Sequence, residues 1–85
     1  MKFHVTPDHI SDGEPHSCSL CPVALAIDEA LPGRCVDVRG NCVLIKGVRY
    51  LFTSDVVRWI SNFDAWATGR ASDRPLPFTF DLQIE

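Results

Sequence analysis

The stretch CVDVRGNCVLIKGVRYLF, residues 35–52, decides the fold. Val36 and Val38 alternate with Cys35, Asp37 and Arg39, as a strand with one buried face requires. Gly40-Asn41 suits a two-residue turn with Gly at the first central position. Such a turn sets Val38 opposite Val43 and Val36 opposite Ile45, so all four share a face. Lys46-Gly47 makes a second tight turn, setting Ile45 opposite Val48 and Val43 opposite Tyr50. The register is thus specified twice by one apolar face, which runs Val36, Val38, Val43, Ile45, Val48, Tyr50 and Phe52. A slip by one residue would expose the whole set. The expectation is a three-stranded antiparallel meander.

Working outward, Ser54-Asp55 caps a helix reaching about Ala67 and stopped by Gly69. Val56, Ile60, Phe63 and Ala67 recur along it at helical spacing, widened by Val57, with Trp59 and Trp66 on the shoulder. Residues 68–77 read as a polar, Pro-containing connector. Phe78 to Ile84 then alternates as a strand. On the other side, Pro22 opens a helix with Cys21 at its cap, and Pro32-Gly33 stops it. Val23, Ala24, Ile27, Ala30 and Leu31 form its expected buried stripe. Residues 13–20 read as loop. Thr6-Pro7-Asp8 starts a brief helix, ended by Gly13 and Pro15, after a short strand at Lys2–Thr6. The N-terminal strand is the expected partner of the C-terminal one. The fold class is therefore α+β: a three-stranded antiparallel meander plus N- and C-terminal strands, with two main helices packed on the sheet, in one domain over residues 1–85.

The 85 residues leave room for one core, and so short a chain often gains from a metal, a disulfide or a partner subunit. Apolar residues make up 46% and charged residues 22%, an ordinary globular balance. The net charge of −3 argues against a general nucleic-acid binder, which needs clustered Lys and Arg. Residues 1–33 carry Lys2 against five acids. Residues 34–58 carry five cations (Arg34, Arg39, Lys46, Arg49 and Arg58) against Asp37 and Asp55, a net of +3. Solvated strand edges explain this better than an anionic partner does. No apolar run approaches the roughly 20 residues that span a bilayer. The start, Met1 to Asp8, has no apolar signal region, so an intracellular, reducing compartment is expected. There, four cysteines are thiols or metal ligands before they are a disulfide framework.

His16-Ser17-Cys18-Ser19-Leu20-Cys21-Pro22 is the sharpest local motif. A C-x-x-C loop running into a helix can hold zinc as thiolates, with His16 as a third ligand, or form a redox pair. The plain alternative is that these cysteines are small loop and cap residues. The meander register places Cys42 opposite Arg39 and Cys35 four residues further along, about 13 Å away at about 3.3 Å per residue. Cys35 and Cys42 then do not bridge, and at most one of them joins a Cys18/Cys21/His16 cluster. The redox reading is weakened by the lack of a βαβ context. His4 and His9 read as surface residues. Asp28 and Glu29, adjacent on a helix, diverge. Asp64, between Phe63 and Trp66, reads as a packing carboxylate that accepts a hydrogen bond. No Ser-centred elbow, Gly-rich phosphate loop or H-E-x-x-H occurs. Leu44, Arg49 and Leu51 fall together on the outer face of the meander. This apolar patch rimmed by Arg is typical of interface cores, and fits a protein partner, a homodimer contact or a second sheet layer.

With Cys-Pro-Val-Ala-Leu-Ala at 21–26, Phe63-Asp64, and Pro-Phe-Thr-Phe-Asp-Leu at 77–82, the chain resembles a set of small bacteriophage and prophage proteins. These share a C-P-[V/I]-A-L-A helix start and a P-F-x-F-x-L ending. The likeness runs from Thr6 to Leu82, and its motifs are structural. It implies cytoplasmic action in a bacterial host cell, and no activity passes with it. The reading reached is a small non-enzymatic accessory protein that binds a host or phage macromolecule, with inhibition of a host process as one form of action. A zinc-stabilised domain is the alternative, and a thiol-redox protein a lesser one.

Overall fold

A computed structural model describes residues 1–84. In chain order it holds β1 (Lys2–Val5), α1 (Pro7–Asp12), α2 (Pro22–Ala30), β2 (Val36–Val38), β3 (Cys42–Ile45), β4 (Val48–Leu51), α3 (Ser54–Ala67) and β5 (Phe78–Asp81). The strands form two antiparallel sheets, a three-stranded one in the order β2-β3-β4 and a pair β1-β5. The α+β expectation holds, and so does the pairing of the terminal strands.

The meander register is the one that the alternation demands. Val36 faces Ile45 and Val38 faces Val43. Ile45 faces Val48 and Val43 faces Tyr50. The turn chemistry differs between the two hairpins. At Lys46-Gly47 both residues have positive φ, 52° and 80°, the twist that a two-residue hairpin favours. Gly40 has no positive φ and open space where a Cβ would stand, so the first turn does not need its glycine.

Val38, Val43, Ile45 and Phe52 of the inner face are buried, and Val36 and Tyr50 are half-buried. Val48 departs from expectation at 52% exposed. Its cross-strand partner Ile45 is buried, so the exposure belongs to the edge strand: β4 has β3 as its one neighbour, and α2 packs on β1 and β2. Ala30 is likewise exposed, at the last turn of α2, while Ala26 takes the buried place.

One aromatic row ties the two sheets together. Phe3 stacks on Phe80 at 5.4 Å, and Phe80 meets Phe52 edge-on at 6.2 Å. Phe80 also stacks on Phe78, Phe78 on Trp59, and Trp59 on Phe63. Each such pair adds about 0.5–1.5 kcal/mol beyond burial. The row runs from β1 through β5 to α3, so the long helix holds the terminal pair against the core. The indole N–H of Trp59 donates to the Leu76 carbonyl at 2.9 Å and fixes the connector before β5.

Candidate functional site

α1 is capped and tied to α2 by side chains of the two helices and their flanks. Thr6 Oγ1 accepts from the His9 N–H, and His9 Nδ1 accepts from the Thr6 N–H, a reciprocal cap. His9 Nε2 then contacts the Glu29 carboxylate on α2. His9 is therefore only 8% exposed, a correction to its reading as a surface residue. Its partner lies twenty residues away, which local pattern does not reveal.

Cys21 caps α2 as expected. Its Sγ accepts from the Ala24 N–H at 3.5 Å. The residue is 3% exposed, and burial pushes the thiol pKa up, against the lowering by its backbone hydrogen bonds. A thiol of this kind keeps its proton at neutral pH and is a poor nucleophile. Six residues before α2 the backbone turns left-handed at His16 (φ 56°), which presents both its N–H and its ring to Asp64 on α3. The N–H donates to Asp64 Oδ1 at 3.2 Å, and Nδ1 lies 3.4 Å from Oδ2. Asp64 thus accepts from a backbone donor, one of the roles expected of it.

These contacts enclose an open cleft of about 290 Å³. His16, Ser17 and Cys18 form one wall, Val38 and Arg39 a second, and Ile60 and Asp64 a third. The Cys18 carbonyl accepts from the Val38 N–H at 2.7 Å, pinning the loop along the edge of β2. Arg39 is committed to Asp37, with Nη2 donating to Oδ2 at 2.6 Å, and the Asp37 carboxyl is held below the usual carboxylate range by that guanidinium.

His16, Cys18 and Cys21 are brought to this one cleft. Among the described residues, however, no group of three or more His, Cys, Asp or Glu side chains is arranged to hold a metal ion. Cys21 turns its sulfur to the helix N-terminus and His16 turns its ring to Asp64, so the three point to different tasks. All four cysteines are free thiols; Cys18 and Cys35 are exposed, Cys21 and Cys42 buried.

The second candidate site is the outer face of the meander. Leu44 and Arg49 are direct cross-strand neighbours, and Leu51 faces Cys42 one row along. Leu51 is 66% exposed, Arg49 is exposed and Leu44 half-buried. The N-terminal loop follows the β2 edge, and on the outer face Cys42 is buried and Leu44 half-buried, so the patch is open at Arg49 and Leu51 and partly covered towards β2. Among the described residues, no helix is long and apolar enough to cross a membrane. Comparison of the chain with protein-family models, curated proteins and solved structures finds no match.

Proposed function

We propose that this chain is a non-enzymatic accessory domain that docks a protein partner on the outer face of β2–β4, through Leu44, Arg49 and Leu51. The observation that carries this reading is the exposure of Leu51 at 66% on a regular sheet face, beside Arg49 and Leu44. An apolar centre with an Arg rim is the composition of interface cores, and a large aliphatic side chain mostly left in water on a strand adds little to the core. The net charge of −3 disfavours nucleic acid as the partner. The likeness to bacteriophage and prophage proteins supports a host or phage protein as the target, met in the cytoplasm of a bacterial cell, with inhibition of a host process as one outcome. The test compares the chain with its Leu44→Ser/Arg49→Ser/Leu51→Ser variant in affinity capture from a bacterial host. Partners held by the first and lost by the second, at equal thermal stability, support the reading. A folded triple variant that keeps every partner sinks it.

A second reading has one observation in its favour: His16, Cys18 and Cys21 line the same cleft. We propose structural zinc on these three residues as that alternative. Metal analysis of protein purified without chelator decides it. One equivalent of zinc lost on Cys18→Ser supports it, and less than about a tenth of an equivalent ends it.

A further inference from the structure

A capping box sets a Ser or Thr at the head of a helix and a Glu or Gln three residues on, each side chain accepting from the other's backbone N–H. Thr6-Pro7-Asp8-His9 keeps that spacing with His in place of the Glu or Gln, and both bonds form. The substitution changes the chemistry of the cap. A carboxylate or amide oxygen accepts throughout the neutral range, whereas an imidazole nitrogen accepts only while it carries no proton. The backbone N–H of Thr6, 3.0 Å from Nδ1, can only donate, so Nδ1 is the unprotonated nitrogen. The Glu29 carboxylate at Nε2 can only accept, so Nε2 carries the hydrogen and donates it. The two contacts together specify one tautomer of the neutral ring. They leave no room for a proton on Nδ1, where it would stand against the hydrogen of Thr6.

We infer that His9 is a proton-operated latch on α1. Neutral, it closes the cap and ties α1 to α2; with a second proton, it gives up the Thr6 N–H and the first turn of α1 opens. The charges around the ring decide which of its two bonds parts. Glu29, from α2, is the one acid in ion-pair reach of the ring among the described residues, and its attraction for an imidazolium is screened because its side chain is 73% exposed. Asp8 and Asp12 on α1 and Asp28 on α2 are exposed and make no ion pair with it. Arg74 reaches α1 from the connector before β5, donating to Ser11 Oγ at 2.8 Å and to the Pro7 carbonyl at 3.4 Å, and disfavours a second cation nearby. Protonation leaves the Nε2 hydrogen bond to Glu29 in place, so the bond that parts is the one to Thr6. A helix of six residues does not persist alone, and α1 packs chiefly on α2, so its first turn depends on this cap. The latch stands apart from the docking reading, since it lies on α1 and not on the meander.

NMR of the unaltered chain tests this. At neutral pH the ring nitrogen shifts of His9 are expected to show Nε2 protonated and Nδ1 bare. On acidification, protection of the Thr6 amide from exchange, corrected for the intrinsic rate, falls about tenfold, the size of one lost cap bond. The fall spans the same pH range over which the His9 nitrogens report the second proton, while Val38, bonded to Cys18, keeps its protection. His9→Gln retains an acceptor for the Thr6 N–H without a titrating group, so its Thr6 protection is expected to stay level over that range. A hydrogen on Nδ1 at neutral pH overturns the inference, and so does Thr6 protection that holds while the ring takes its second proton. These two readings need no variant. A folded His9→Gln that loses Thr6 protection as the unaltered chain does overturns it as well, because the proton then acts elsewhere.

Discussion

Gly13 stands where no side chain fits. A Cβ there would lie 2.6 Å from the Pro22 ring and 2.8 Å from the His9 carbonyl, although its φ of −72° suits any residue. Gly13→Ala is expected to cost about 1–3 kcal/mol through overpacking against a rigid ring, read by chemical denaturation. The cysteines divide by environment at the same scale. Cys18 and Cys35 are expected to alkylate fast at neutral pH and Cys21 slowly, measured residue by residue by mass spectrometry. The raised Cys21 pKa also fixes a pH dependence. Above the usual thiol range the unfolded chain releases this proton while the folded one keeps it, so stability is full below that range and falls as pH rises through it. Cys21→Ser, which keeps a capping oxygen, is expected to flatten that alkaline loss in thermal melts. The cap was legible at this scale, since Cys followed by Pro and an apolar run marks a helix start. His9 was not, because its burial comes from the packing of α1 on α2, whose Glu29 lies twenty residues away, and short sequence windows carry no such distance.

Among the elements, the two meander turns offer a controlled contrast. Lys46 holds a left-handed φ that costs a non-glycine residue about 1–2 kcal/mol, so Lys46→Asn is expected to stabilise the chain by a few tenths to about 1 kcal/mol. Gly47→Ala is expected to destabilise by a comparable amount, and Gly40→Ala to be neutral or mildly stabilising. Thermal melts of the three variants check this order. The register itself was readable because two tight turns and one alternating face agree, and a shift would have violated both. Val48 and Ala30 escaped that logic for a shared reason. Periodicity tells which face a residue is on, whereas burial on an edge strand or in a helix's last turn depends on whether another layer extends that far. The outer-face residues Leu44, Arg49 and Leu51 were readable as a group from the same register; their exposure depended on the path of residues 13–20, which the sequence leaves open.

At the scale of the whole molecule, the fold is closed by its most distant segments. β1 pairs with β5 from Lys2–Asp81 to Val5–Phe78, and Phe3 and Phe80 bury between the sheets. Removal of residues 77–85 is therefore expected to abolish cooperative unfolding, and Trp59, stacked on Phe78, reports it by fluorescence. That pairing was expected only as a guess, since alternation marks a strand without naming its neighbour. The ladder continues past the strands: the Met1 amine donates to the Leu82 carbonyl at 2.7 Å, and the Leu82 N–H donates back to Met1 at 2.9 Å. Residues 1 and 82 are thus bonded side by side, and a short linker joining them would make a ring with little distortion. Circular permutants opened in the exposed loop at Pro32-Gly33 should then keep the native contacts while turning the longest-range pairing of the chain into its most local hairpin. Their refolding should be faster than that of the original order, because the closure that now spans the molecule would span only the linker.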